Sequence, residues 1–196
     1  MSNFTGGNEE TKMSGTIYLI HGYTASPTAN WFPWLKQETA GKLNQTIKLL
    51  ALPNPEQPHP DAWDKTCDQE ITHKDGITII GHSLGCIEAL RYLDQHAIKD
   101  INLILVSGFD ETPCTLPELA PFTQTPVDYT RILPKIKQAV VISALDDEII
   151  PYVYSETLAR HLQCKFVLMP TGGHFISRDN VTSLPVVYEE LRMMIQ

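Results

Sequence analysis

The segment Gly76 to Ile87, GITIIGHSLGCI, decides the fold because it joins an apolar run to a serine flanked by glycines. The run is rich in β-branched residues, which predicts a strand buried on both faces of a sheet. The following LGCIEALRYLDQH predicts a helix, so Ser83 lies where strand and helix meet. GxSxG at such a junction is typical of a nucleophile elbow, in which Gly81 and Gly85 leave room for a very tight turn.

The five-residue motif is weak evidence by itself. Glycine and serine are so common that GxSxG should arise by chance in roughly one chain of this length in fifteen. A strand-to-helix turn with Ser83 as a helix cap would show the same pattern. If the elbow is real, the N–H of Leu84 lies at a helix N-terminus and forms half of an oxyanion hole. The hypothesis therefore depends on partner residues elsewhere in the chain.

Length and composition predict one domain without nucleic-acid or membrane partners. A chain of 196 residues with 42% hydrophobic residues can bury a single sizeable core. The net charge of −8 and the lack of a Lys/Arg cluster argue against phosphate-backbone binding. Residues 1–14 are polar and predicted to be disordered, and 15–196 are predicted to form the domain. Without a leader or an apolar span, the chain is predicted to be soluble and cytoplasmic, as a monomer or a small homo-oligomer.

No cofactor or metal is expected. The cysteines are scattered without a CxxC pair, which disfavours zinc and favours reduced, packed thiols. HGYTAS, after the first predicted strand, has one glycine where a dinucleotide fold needs GxGxxG. No HExxH or tight cluster of His and Asp suggests a metallohydrolase. The four cysteines are Cys67, Cys86, Cys114 and Cys164.

Five further apolar runs alternate with segments of helical spacing, which predicts an α/β protein with about six mostly parallel strands and helices on both faces. Asp61 is expected to cap the second helix. The predicted strands are 16–20, 47–52, 77–80, 101–106, 139–143 and 165–169. Besides the elbow helix, the predicted helices are 30–43, 62–71, 152–162 and a C-terminal stripe from Leu184 to Ile195.

The proline-rich segment 109–130 lies where one compact helix would be expected. Long irregular segments in compact domains often border binding sites, so it is predicted to form an apolar wall of a small pocket. The alternative is a loosely packed crossover with a helical turn or two. The wall residues would be Phe109, Leu116, Leu119 and Phe122, with Tyr23 and Trp31 opposite, although a core role is the stronger interpretation for Trp31.

A serine nucleophile needs a base and an acid at the same sheet edge. His174 follows the last predicted strand directly and is the predicted base. Asp146 and Asp147 follow the fifth strand and one of them should orient the base, with Asp110 as a substitute. The resulting order Ser, Asp, His is that of α/β-hydrolases. The N–H of Tyr23, in the loop after the first strand, is the expected second oxyanion donor.

Five motifs together resemble the small serine hydrolase family that includes YdeN-type bacterial proteins and retinoblastoma-binding protein 9. They are HGYTAS, WFPWLK, GHSLG, SALDDEIIPY and GGHF, and they cover nearly the whole chain. The resemblance implies a compact α/β-hydrolase fold without a large cap. It also implies Ser83 as nucleophile, His174 as base and Asp147 as acid, because the family's acid stands four residues before the proline that is here Pro151.

The same resemblance implies a carboxylesterase-like serine hydrolase that cleaves small esters, thioesters or amides through an acyl-enzyme. The alternative hypothesis is a protein-binding module on a hydrolase scaffold with vestigial activity, because a fold alone does not determine function. The complete set of Ser83, Asp147 and His174 favours the enzyme.

Overall fold

One parallel sheet contains all six strands of the part of the chain that the computed structural model describes, residues 16–196. The predicted disordered segment 1–14 lies outside these residues. The strand order is β2-β1-β3-β4-β5-β6, and every neighbouring pair is parallel. The strands are β1 (Ile17–Ile20), β2 (Ile47–Leu49), β3 (Thr78–His82), β4 (Ile101–Val106), β5 (Ile136–Ala144) and β6 (Lys165–Met169).

Seven α-helices connect or follow the strands within residues 16–196. None of these helices is both long enough and apolar enough to cross a membrane. They are α1 (Phe32–Leu43), α2 (Pro60–Glu70), α3 (Leu84–Gln95), α4 (Ala120–Thr123), α5 (Tyr129–Ile132), α6 (Tyr152–His161) and α7 (Pro185–Ile195). The predicted α/β architecture is therefore confirmed.

Helices cover both faces of the sheet because successive strand residues point to opposite sides. In β1, Tyr18 and Ile20 pack on the face covered by α2, α3 and α6, whereas Ile17 and Leu19 pack on the face covered by α1 and α7. All four residues are fully buried. The continuous apolar strands in the sequence follow from this double burial.

Two predicted boundaries were wrong for identifiable reasons. Asp61 does not cap α2, because the helix begins at Pro60 with His59 as its cap residue and Asp61 in the first turn. A proline at the first helical position has a suitable fixed φ and lacks an N–H that would need a partner. β2 ends at Leu49 instead of Leu52. The N–H of Leu50 still bonds the carbonyl oxygen of Leu19 in β1, but the N–H of Leu52 bonds the side chain of His21 and is lost to the sheet.

The segment 109–130 is a packed crossover with helical turns. It contains a 3-10 turn at Pro117–Leu119 and the short helix α4. Phe122 in α4 is buried and its ring lies 5.4 Å from that of Trp63, edge to face. The alternative interpretation of this segment therefore describes most of it.

A close backbone approach holds the elbow helix against β1. A methyl group added at Gly85, in the first turn of α3, would lie 2.2 Å from the carbonyl oxygen of Ile20. Backbone atoms cannot yield to such a contact as a flexible side chain could. Glycine at this position therefore determines how closely α3 crosses the end of β1.

Replacing Gly85 with alanine is expected to destabilise the protein by about 1–3 kcal/mol or more, as overpacking does in other cores. The matched control is Gly41→Ala in α1, where an added methyl group meets nothing within 4 Å. That change should stabilise the helix by up to about 1 kcal/mol, because alanine loses less backbone entropy. Denaturant unfolding of both variants measures the difference, and equal stabilities would contradict the described packing.

Candidate active site

Ser83 occupies a strained turn between β3 and α3. Its φ of 55° and ψ of −122° are unusual for a residue with a side chain. The turn is stabilised by a 2.8 Å hydrogen bond from the Ser83 N–H to the carbonyl oxygen of Val106, at the end of β4. Ser83 is only 3% exposed. This backbone has the geometry expected of a nucleophile elbow.

The loop after β1 comes directly against the serine. A methyl group added at Gly22 would lie 2.8 Å from Ser83 Cβ and 3.4 Å from Ser83 Oγ, so this position requires glycine. Tyr23, the predicted oxyanion donor, follows it. Leu84, the other predicted donor, is the first residue of α3, where backbone N–H groups have no partner within the helix. Leu84 therefore follows Ser83 directly, and Tyr23 follows the glycine that packs against Ser83.

His174 and Asp147 are in direct contact. His174 Nδ1 lies 2.9 Å from Asp147 Oδ2 and 3.2 Å from Oδ1. Both residues are only 5% exposed. An ionised carboxylate only accepts hydrogen bonds, so the pair favours the tautomer with its proton on Nδ1. The Nε2 atom of His174 is then free to accept a proton.

The Asp147 carboxylate is held by donors from its own loop and from the loop after β4. Ser107 Oγ donates to Oδ2 at 2.8 Å, and the N–H groups of Ile149 and Ile150 donate to Oδ1 at 3.0 and 2.8 Å. These bonds fix the plane of the carboxylate that faces His174. Sequence reasoning missed Ser107, although its place directly after β4, on the same sheet edge, could have pointed to it.

Asp146 has a different contact from its neighbour Asp147. Its Oδ1 accepts a 2.8 Å hydrogen bond from the N–H of Gly173, and Asp179 Oδ2 accepts one of 2.8 Å from the N–H of His174. Asp146 and Asp179 thus hold the backbone of the loop 170–176 after β6, which contains His174 and is called the histidine loop below. Asp147 alone of the two consecutive aspartates contacts the imidazole ring in the structure.

His82 contributes a neutral ring next to His174. Its Nε2 lies 2.9 Å from the carbonyl oxygen of His174, and the two ring centroids are 5.0 Å apart. Burial, and secondly the charge of a protonated His174, lower the pKa of His82 to about 3. His82 therefore stays uncharged at neutral pH and donates from Nε2. A charge on His174 would not face a second positive charge there.

The substitute acid, Asp110, lies in another cluster. Its carboxylate accepts a hydrogen bond from Tyr129 and lies 2.5 Å from His161 Nδ1. His21, in the loop after β1, places Nδ1 2.9 Å from the carbonyl oxygen of Gly22 and accepts from the N–H of Leu52. Asp110 therefore does not contact His174. His21 stabilises the backbone of the loop after β1 and of the segment after β2.

A cavity of about 490 Å³ opens onto Ser83 and His174. A neighbouring cavity of about 650 Å³ shares His174, Ile149 and Arg178 with it. Among residues 16–196, no group of three or more His, Cys, Asp or Glu is arranged to hold a metal ion. The cavity next to Ser83 is lined by Tyr23, Thr24, Ala25, Ala29, Asn30, His82, Ser83, Leu116, Ile149, His174, Ile176, Ser177 and Arg178.

The predicted apolar wall was wrong for three of its four residues. Leu116 lines the cavity, whereas Phe109, Leu119 and Phe122 are buried in the core between the sheet and its helices. Large apolar side chains gain most by full burial, and sequence spacing does not distinguish a core from a pocket wall. Tyr23 lines the cavity as predicted, and Trp31 is fully buried in the core.

Comparison with known proteins agrees with the motif resemblance. A family model described as serine hydrolase matches residues 17–193. YdeN of Bacillus subtilis (strain 168) is 37% identical over 182 residues, which span 91% of this chain and 95% of YdeN. The serine hydrolase RBBP9 of Rattus norvegicus is 24% identical over 149 residues, 76% of this chain and 79% of RBBP9.

Solved structures show the same relationship. The crystal structure of the ydeN gene product from B. subtilis matches with a TM-score of 0.89 at 36% identity, over 92% of this chain and 98% of that one. Alpha/beta hydrolase domain-containing protein 10 from mouse matches with a TM-score of 0.67 at 14% identity, over 98% and 91% of the two chains, which shows the fold alone. The chain belongs to the serine hydrolase family and has the α/β-hydrolase fold.

Proposed function

We propose that this protein hydrolyses small carboxylic esters, and thioesters or amides of similar size, through an acyl-enzyme on Ser83. The observation that carries the proposal is the contact of Asp147 with His174 beside a cavity that both His174 and Ser83 line. Family membership supports hydrolysis in general. The assignment of the triad and of the substrate class is our inference from the geometry.

In the proposed reaction, His174 Nε2 removes the proton from Ser83 Oγ as the oxygen attacks the substrate carbonyl carbon. The resulting oxyanion is stabilised by the N–H groups of Tyr23 and Leu84, the latter at the N-terminus of α3. The tetrahedral intermediate collapses as His174 returns the proton to the leaving oxygen, sulfur or nitrogen. Water then attacks the acyl-enzyme while His174 accepts its proton. The second tetrahedral intermediate releases the carboxylic acid, and His174 returns the proton to Ser83 Oγ.

Two features suit His174 to carry a transient positive charge. The Asp147 carboxylate, held by Ser107 and two backbone N–H groups, faces Nδ1 and stabilises the imidazolium. The ring centroid of His82 lies 5.0 Å from that of His174, and burial lowers the pKa of His82 to about 3, so that His82 remains neutral. The positive charge that develops on His174 during attack is therefore stabilised by the Asp147 carboxylate and is not opposed by a charged His82.

The size and lining of the cavity favour a small substrate. Its volume of about 490 Å³ is near the lower end of the range for small-molecule sites. Its lining combines small residues such as Ala25 and Ala29 with the apolar Leu116 and Ile149. A protein-binding module is the second candidate, but the buried contact of Asp147 with His174 has no evident purpose in that function.

Ser83→Ala is expected to abolish both ester hydrolysis and labelling by a fluorophosphonate probe, because it removes the attacking oxygen. The unmodified protein should gain the mass of one adduct. Ser26→Ala, which removes a hydroxyl that contacts Thr28 in the loop after β1, is the matched control and should still be labelled. Labelling of the Ser83 variant, measured by intact mass, would disprove the assignment of the nucleophile.

Asp147→Asn is expected to lower kcat by orders of magnitude, up to about 10⁴ by analogy with another Ser-His-Asp enzyme, because an amide favours the wrong tautomer of His174. Asp146→Asn is the control. It keeps an oxygen that can accept from the N–H of Gly173 and should lower kcat far less. Steady-state rates of the two variants decide the assignment, and a larger loss at Asp146 would reverse it.

Leu116→Ala is expected to enlarge the cavity and to favour octanoyl over acetyl esters by about 1–3 kcal/mol in relative transition-state binding. Phe122→Leu alters the core next to Trp63 and should lower stability by about 1–3 kcal/mol without changing the chain-length preference. Values of kcat/KM across p-nitrophenyl esters, with thermal unfolding of each variant, provide the measurement. An unchanged profile for the Leu116 variant would show that substrates bind elsewhere.

A further inference from the structure

The Ser83 cavity has a charge pattern that the proposed reaction does not use. Arg178 is the one Lys, Arg, Asp or Glu among the residues that line it. The whole chain has a net charge of −8, and this cavity nevertheless has a cation and no carboxylate in its lining. A charged side chain among the few polar groups that line a cavity is commonly a binding group.

The guanidinium of Arg178 has no partner within residues 16–196. Arg178 is exposed, and none of the hydrogen bonds or ion pairs of the described chain includes its side chain. By contrast, the arginines at 91, 131, 160 and 192 each bond a carboxylate. Five N–H donors are therefore available at the edge of the cavity.

The backbone around Arg178 is fixed to the site on both sides. The N–H of Ser177 donates to Asn30 Oδ1 at 3.0 Å, and the Asp179 carboxylate accepts from the N–H of His174 at 2.8 Å. A 3-10 turn spans Ser177–Asp179. Arg178 is thus presented from a segment that is joined both to the loop after β1 and to the predicted base.

Arg178 also lines the neighbouring cavity, where three carboxylates are found. Asp146, Glu148 and Asp179 line the neighbouring cavity of about 650 Å³, and none of them forms an ion pair with Arg178. Two of them already accept backbone N–H groups of the histidine loop. An anion in the Ser83 cavity would therefore meet Arg178 without a carboxylate lining the same cavity.

We propose that Arg178 is a specificity-determining residue that binds a carboxylate of the substrate, so that the preferred esters carry a free carboxylate at some distance from the scissile bond. A guanidinium matches the two oxygens of a carboxylate in a bidentate arrangement. One positive charge suits a singly charged carboxylate better than a phosphate, which carries more negative charge at neutral pH. The inference rests on the proposed function, because the carboxylate is placed relative to Ser83.

The carboxylate could belong to either side of the ester, and paired substrates distinguish the two cases. For the acyl side, mono-p-nitrophenyl adipate is compared with its methyl ester, which lacks the charge. For the leaving-group side, 4-acetoxybenzoate is compared with methyl 4-acetoxybenzoate. In each pair the reactive ester is the same and the charge differs. The unmodified protein should prefer the charged member in at least one pair, measured as the ratio of kcat/KM values.

Arg178→Gln should lower this ratio by about 10- to 100-fold, the range expected for losing a charge-assisted hydrogen bond. Arg178→Lys should restore part of it, and added salt should lower it in the unmodified protein. The control is Arg160→Gln, which removes the same charge from an exposed ion pair with Glu156 and should leave the ratio unchanged. A ratio near one in both pairs, or a ratio that Arg178→Gln does not alter, would overturn the inference.

Binding to the inactive variant separates this inference from the proposed chemistry. Ser83→Ala should bind monomethyl adipate or 4-hydroxybenzoate more tightly than the corresponding neutral methyl ester in calorimetric titration. Adding Arg178→Gln should remove that preference. If Arg178→Gln removes the binding preference although the unmodified protein hydrolyses no ester, the proposed function fails and the carboxylate site stands. If esters are hydrolysed through Ser83 and neither measurement depends on Arg178, the carboxylate site fails alone.

Discussion

The candidate site depends on the close crossing of α3 over the end of β1. Gly85 allows the helix backbone to approach the carbonyl of Ile20, and Gly22 allows the following loop to reach Ser83. A side chain at either position would separate the elbow from the loop that contains the predicted oxyanion donor Tyr23. The two glycines therefore act together, one on each side of the same contact. The strained φ of Ser83 is tolerated because this packing and the bond to Val106 hold the turn.

The all-parallel sheet explains why distant residues meet at this crossing. Parallel strands place their carboxyl ends at one edge, so the loops after β1, β3, β5 and β6 converge there. The loop after β4 adds Ser107, whose hydroxyl bonds Asp147. Every strand from the centre of the sheet to β6 therefore contributes to the placement of Ser83, Asp147 or His174. The site needs no cap domain to assemble it.

Much of this arrangement could be predicted because it follows from local patterns. The GxSxG junction, the buried strands and the position of His174 after the last strand are all visible in the order of residues. The packing of the segment 109–130 could not be predicted, because a phenylalanine in a core and one in a pocket wall have the same sequence pattern. Phe122 became a core residue by packing on Trp63, about 60 residues earlier in the chain, a contact that local spacing does not contain. The roles of Ser107 and Asp179 likewise depend on contacts between loops.

The acidic residues of the site illustrate how neighbouring side chains acquire different functions. Asp146 holds the N–H of Gly173 and Asp147 faces the ring of His174, so two consecutive aspartates support two consecutive residues of the opposite loop. Asp179 holds the N–H of His174 from a third direction. Asp146 and Asp179 accept hydrogen bonds from backbone amides, and Asp147 is the one placed to stabilise charge on the imidazole. All three carboxylates bond the backbone or the ring of the histidine loop and so order the base. None of them lines the cavity that Ser83 faces. An anionic substrate is therefore compatible with a protein whose net charge is strongly negative.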